Sequence, residues 1–176
     1  MYALTRYGAM EAMLAKWFET EQGRYVRDWE LAEVDRAVED VFGYHALQIG
    51  LPHIDYFREN RISHKACIGL EAAAEVRASA CELPVASNSV DLVVLPHVLE
   101  FSAEPHRILR EAERVLMPEG SIVITGFNPW SMWGARFALS GNSTGLPRGG
   151  RLIGMSRLRD WLKLLSFEHN GGGFGC

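Results

Sequence analysis

Apolar positions along this chain change their period near residue 44. Before it, Met10, Met13, Leu14, Trp17 and Phe18 recur at helical spacing, and so do Leu31, Val34, Val38, Val41 and Phe42. Gly23 falls between the two runs and Gly43 just past the second, where helix stops are expected. After it, short apolar runs alternate with helical segments. Residues 46–50 read as a strand ending in glycine, and residues 53–60 as a short helix after Pro52. Residues 64–70 form a second strand candidate and residues 74–79 a weaker third. Residues 90–95 are a continuous apolar run, as in a sheet covered on both faces. Pro105 opens a helix whose face is Ile108, Leu109, Ala112, Val115 and Leu116. Pro118 and Gly120 are read as its stop, and residues 121–127 as a fifth strand. Ser156 is the expected N-cap of a last helix carrying Leu158, Trp161, Leu162 and Leu165.

This alternation predicts an α/β fold, a Rossmann-like and mostly parallel sheet preceded by helices. The chain divides into an N-terminal helical segment, residues 1–43, and an α/β domain, residues 44–176, together one globular unit. With 176 residues, 48% of them hydrophobic, there is apolar material for one buried core. A net charge of −4 without any basic block gives no electrostatic footprint for nucleic acid. Three cysteines, Cys67, Cys81 and Cys176, lack the spacing of a zinc site or a disulfide framework, so no metal is expected and a reducing, cytoplasmic setting is. No signal peptide is read at the N-terminus, and the longest apolar stretch is too short to span a bilayer.

In such a sheet ligands lie beyond the carboxyl ends of the strands. Gly50 ends the first strand and supplies a turn at which the backbone can approach a ligand. Glu71 follows the second strand 21 positions after Gly50, the separation expected of an acid that accepts from ribose hydroxyls; the bland alternative is a solvated glutamate opening the Ala72–Ala73–Ala74 run. Leu95 and His97 stand at the end of the most apolar strand. An imidazole there can take a proton from a nucleophile; alternatively it packs at the rim or caps the next helix. Asp91, at the other end of that strand, reads as structural, and His106 as solvated. Cys81 reads as a small apolar filler. Asn128–Pro129 with Trp130 and Trp133 forms either an acceptor pocket or a turn with core aromatics.

The segment from Leu83 through Val94, with Leu83–Pro84 followed by Ser89-Val90-Asp91-Leu92-Val93, resembles the second half of class I S-adenosylmethionine-dependent methyltransferases of the type-11 domain pattern. Four stretches resemble one branch of that group: Leu47-Gln48-Ile49-Gly50, residues 95–101, residues 126–134 and residues 158–165. The resemblance runs from Tyr44 to Phe167 and implies a seven-stranded sheet ending in an antiparallel hairpin, with S-adenosylmethionine as cofactor. The expected cofactor site lies across Gln48, Gly50, Glu71, Ser79, Ala80, Leu95 and His97, with His97, from its place at the strand end, as the candidate catalytic residue. Gln48 stands where the family has an acid, Pro52 where it has a second glycine, and Ser79 where an acid commonly meets the adenine amino group. These departures predict weakened cofactor affinity. The glycine-rich end of the chain predicts that part of the C-terminal hairpin is lacking, which would leave a sheet edge open to homodimer formation. The implied activity is methyl transfer by in-line displacement to an unidentified acceptor, more in keeping with a small molecule than with nucleic acid or membrane. The alternative is a catalytically inactive binding protein on the same fold.

Overall fold

A computed structural model describes residues 2–129, 150–168 and 171–172. Two helices lead: α1, Tyr2–Phe18, and α2, Glu21–Val38. The break between them is not at Gly23, as the sequence suggested, but at Thr20. Its hydroxyl oxygen accepts from the Gly23 amide at 3.1 Å, a helix N-cap. Gly23 sits in the first turn of α2 because a Cβ there would lie 2.0 Å from the Trp17 carbonyl oxygen.

The described sheet has five strands: β1, His45–Ile49; β2, His64–Gly69; β3, Val76–Arg77; β4, Val90–Pro96; and β5, Leu116–Thr125. Their order is β3-β2-β1-β4-β5, and the pairings are parallel. The chain therefore starts in the middle of the sheet, runs to one edge and crosses back, so β1 and β4 adjoin at a topological switch point. Among the described residues three further helices follow β4: α3, Val98–Phe101; α4, Pro105–Val115; and α5, Met155–Leu164.

Alternation along the central strands assigns the two faces. Ala46, Leu92 and Val94 pack with Leu14, Trp17, Phe18, Leu31, Val34 and Val38, so α1 and α2 cover one face. Leu47, Ile49, Val93 and Leu95 pack with Ile108, Leu109, Ala112 and Val115, so α4 covers the other, with α5 half-buried beside it. Val90 falls in the second group, out of step with Leu92, because the β4–β5 register shifts between those residues.

Four local expectations are corrected. Residues 51–60 form turns rather than a helix. Asn60 shows why: its side chain donates to the carbonyls of Val38 and Val41 at the end of α2, which are distant in sequence, and accepts locally from the Ile62 amide, bonds that compete with a helix. β5 begins at Leu116, five residues early, and takes Pro118 and Gly120 into its irregular first half, with Glu119 at φ 68°. Gly154, not Ser156, is the N-cap of α5. The short helix α3 was not foreseen. Trp130, Trp133 and most of the glycine-rich stretch lie outside the described residues, as does most of the chain after Glu168.

Asp91 is structural, as its position suggested. Its carboxylate accepts from the amides of Tyr44 at 2.7 Å and His45 at 2.9 Å, joining the start of β1 to β4. His106 is exposed, with its ring 4.0 Å from that of Trp161.

Candidate active site

Two polar clusters gather at the carboxyl ends of the parallel strands. The first lies over β1 and β2. After β1 the chain turns through two consecutive residues of positive φ, Gly50 at 91° and Leu51 at 47°. A leucine seldom adopts that conformation without support. Gln48 supplies the support. Its side-chain nitrogen donates to the carbonyls of Gly50, Leu51 and Ile54 at 2.9–3.0 Å, and its oxygen accepts from the Tyr56 amide at 3.2 Å. The amide is thus fully occupied in shaping the loop, and Gln48 is buried beneath it. The Gly50 amide is also committed, donating to Ile68 at 2.8 Å.

Above this loop stands Glu11 of α1, only 3% exposed. Its Oε1 accepts from the Leu51 amide at 2.6 Å, whereas its Oε2 is buried without a hydrogen-bond donor among the described residues. Burial raises its pKa to about 7; the Glu71 charge adds to the rise, and the amides of Leu51 and Leu70 and the nearby His53 moderate it. Glu71, just past β2, accepts at Oε2 from the His53 ring at 2.9 Å. Its Oε1 is likewise buried without a donor among the described residues. Cys67 beside them is no nucleophile, since burial pushes its thiol up to about 12.

The second cluster lies over β4 and β5. His97 follows β4 at φ 54° and caps α3. Its Nδ1 meets Glu100 Oε1 at 2.5 Å, and its Nε2 meets Glu30 Oε2 of α2 at 2.7 Å. The remaining carboxylate oxygens are satisfied too. Glu30 Oε1 accepts from the Tyr56 hydroxyl at 2.7 Å and the Thr125 hydroxyl at 3.1 Å, and Glu100 Oε2 accepts from the Phe127 amide at 2.9 Å. Burial opposes charge on all three residues. For His97 the two carboxylates outweigh it, and its pKa rises to about 10. Glu30 is held below the ordinary carboxylate range by His97 and its hydroxyl donors despite its burial, while burial keeps Glu100 above that range. The rings of Phe18 and Phe127 flank the imidazole, with centroids 5.6 and 4.5 Å away.

Comparison with known proteins fits this architecture. A family model described as a methyltransferase domain matches residues 45–124, which run from β1 to the penultimate residue of β5. Over these residues the chain is similar to a methyltransferase domain. An Escherichia coli K12 relative described as uncharacterized protein YafS is 34% identical over 154 residues, 86% of this chain. The chain spans 64% of that relative's length. A Thermotoga maritima S-adenosylmethionine-dependent methyltransferase, described as a possible histamine N-methyltransferase, superposes with a TM-score of 0.63 at 19% identity, over 88% of this chain and 81% of its own. The Haloferax volcanii complex between the Trm112 methyltransferase activator and its candidate methyltransferase gives a TM-score of 0.69 at 14% identity, over 93% and 75%. At such identities the likeness to solved structures is one of fold.

Within this α/β unit, the residues singled out from the sequence separate into groups. Gly50 and Glu71 come together over β1 and β2, with Gln48 beneath them. His97 belongs to the second cluster, and both its nitrogens are in use. The ring is 2% exposed, so in this conformation it holds elements together rather than facing an acceptor. The Leu95 side chain is buried in the core facing α4. Ser79 accepts from the Cys81 amide at 3.2 Å, and Ala80 is buried beside it just past β3. Glu11, Glu30, Glu100, His53, Tyr56 and Thr125 were missed. Two of them carried a signal in the helical period. Glu11 keeps the spacing of Leu14 and Phe18, and Glu30 that of Val34 and Val38, so each carboxylate lies on an apolar stripe.

Proposed function

We propose that this chain is an S-adenosylmethionine-dependent methyltransferase domain whose cofactor lies across the loop after β1, Glu71 after β2, Ser79 and Ala80 after β3, and the Leu95–His97 end of β4. The observation that carries the reading is the unmatched buried oxygen of Glu71, at the strand end and spacing where a ribose-accepting acid is expected. A buried acceptor without a donor costs stability, and a sugar hydroxyl supplies the donor. The residues present therefore fit the cofactor. When bound, it supplies a methyl group on a positively charged sulfur that an acceptor's lone pair attacks in line.

The protein's part is to bind and orient. The Gln48-shaped loop sets the backbone after β1, and the Glu30–His97–Glu100 network fixes the ends of β4 and β5 against α2. His97 is a positioning residue in this conformation. Orientation of this kind acts by converting an encounter into a prepared geometry. The acidic balance of the chain and its lack of a basic block favour a small-molecule acceptor. No helix among the described residues is long and apolar enough to cross a membrane. Cys67 and Cys81 are unpaired, which suits a reducing cytoplasm. The sealed imidazole also supports a second reading, a domain that binds the cofactor without transferring its methyl group.

Calorimetric titration with S-adenosylmethionine and S-adenosylhomocysteine tests the main reading. Binding to the full chain is expected, weakened in Glu71→Ala by about 1.5–3 kcal/mol, the scale for hydrogen bonds to a charged group. Equal affinity in that variant would make Glu71 a surface acid and overturn the placement. Binding with no transfer to any nucleophile offered would select the second reading.

A further inference from the structure

The site over β1 and β2 holds one buried carboxylate, Glu11, and one partly buried, Glu71, and each has one buried oxygen without a donor among the described residues. One of them, Glu11, comes from outside the strand–helix alternation. α1 carries it to the Leu51 amide, and a Cβ at Gly69 would lie 3.4 Å from its Oε1, so the carboxylate spans the ends of β1 and β2. Side chains buried to this degree seldom keep an unmatched acceptor. Leu51 in turn is held at positive φ by Gln48, which aims its amide out of the loop. The chain has built a carboxylate receptor here at the cost of a strained residue.

We infer that α1 is part of the cofactor site, and that Glu11 and Glu71 form a two-carboxylate clasp for the vicinal hydroxyls of a nucleoside. The inference rests on the reading of the chain as an S-adenosylmethionine-dependent domain and adds to it a residue from the N-terminal helix. Each acid offers one free acceptor, and a vicinal diol offers two adjacent donors. Glu11 reaches the turn after β1 and Glu71 stands just past β2, neighbouring strands about 4.8 Å apart, and the two carboxylates are near enough for the Glu71 charge to act on Glu11. A divalent metal ion fits poorly, because it requires about six oxygen ligands and two are free. The groups facing Glu11 are Glu71, His53 and Cys67, and the His53 contact already relieves part of the Glu71 charge. Gln48 leaves the first strand without the acid expected there, and Glu11 restores a carboxylate to the same turn from a different element.

The clasp makes Glu11 work against the empty fold. Its raised pKa means that the unfolded chain ionises first, so its contribution to stability falls as pH rises from 4.5 to about 7. Hydroxyls donate best to an ionised carboxylate. Affinity for a diol should therefore increase, and a proton be released on binding, as pH passes through about 7.

The test is calorimetry on the full chain with four probes: S-adenosylmethionine, S-adenosylhomocysteine, adenosine and 2′,3′-dideoxyadenosine. The variant is Glu11→Gln, which keeps the acceptor for the Leu51 amide and the volume. Wild type is expected to prefer adenosine over its dideoxy analogue, increasingly so above pH about 7. In Glu11→Gln that preference should shrink by about tenfold or more and lose its pH dependence, with the melting temperature at alkaline pH no lower than that of wild type. Binding of S-adenosylhomocysteine and adenosine unchanged by the substitution would overturn the clasp while leaving the methyltransferase reading standing. Diol-dependent binding of adenosine without either S-adenosyl compound would support the clasp and sink that reading. No diol preference in wild type would overturn the clasp whatever the variant does, since that measurement does not depend on the variant's folding.

Discussion

Removing His97 is expected to cost about 3–5 kcal/mol of folding stability, the scale for stripping one partner from a buried ion pair. His97→Ala would leave Glu30 and Glu100 facing each other in the interior, both largely removed from water. It would also cut the link between α2 and β4, since the same imidazole bridges Glu30 and Glu100. Against a total of about 5–15 kcal/mol for a domain, that is a large share. Urea unfolding of the variant and wild type measures it, and a loss below about 1 kcal/mol would show that the network is energetically idle. The double variant with Glu30→Gln should lose less than the sum of the singles, because the neutral amide no longer needs the cation. pH supplies an independent check. His97 is raised from 6.5 to about 10, so its contribution is whole below 6.5 and is lost as pH climbs through about 10. Glu30 is lowered, so its contribution is whole above 4.5 and is lost as pH falls below it. His97 and Glu30 therefore favour the folded state across neutral pH and weaken at opposite ends, whereas Glu100, raised by burial, works against it above the ordinary carboxylate range.

The strands were legible because their signal is local. Residues 90–95 are apolar at every position but Asp91, and a fully covered parallel strand needs nothing more. The α4 face was legible for the same reason, with buried residues Ile108, Leu109, Ala112 and Val115 at the expected period. What escaped were positions whose partner is distant in sequence. Residues 53–60 read as a short helix after Pro52, but the Gln48 side chain takes the Tyr56 amide, and Asn60 binds the end of α2, so the segment follows tertiary partners. Likewise Pro118 and Gly120 ended α4 on paper, whereas the helix already stops at Val115 because Leu116 pairs with Val90. The site was legible only in part. Gly50 and Glu71 could be placed from spacing alone, because the strand order brings them together. Glu11 and Glu30 read as interruptions of apolar stripes, and only the packing of α1 and α2 over the strand ends shows them as buried carboxylates with partners. His97 and Glu100 are three apart, the spacing of a cap and its reciprocal partner. That signal was present, though the third member, 67 positions from His97, was not visible to it.

Gln48→Glu is expected to destabilise the domain by about 3 kcal/mol at neutral pH and not to restore a cofactor site. The substitution would supply the acid that the resemblance asks for at this position, so intuition favours a gain. The structure argues the reverse. The side-chain nitrogen of Gln48 faces three carbonyl oxygens, those of Gly50, Leu51 and Ile54. A carboxylate there would meet three acceptors in a buried space, and to remain it must take up a proton. Holding a carboxyl neutral at pH 7 against an ordinary value near 4.3 costs about 1.36 kcal/mol for each of nearly three units. A protonated acid then has one donor where the amide has two. Because the folded pKa would be raised, the loss should shrink as pH falls towards the ordinary carboxylate range and grow above it. Leu51 at φ 47° would lose its support, and with it the amide that meets Glu11. Thermal unfolding across pH, paired with S-adenosylhomocysteine titration, reads both consequences. A variant as stable as wild type, or one that binds more tightly, would mean that residue 48 can face the ligand and that the loop does not depend on its amide.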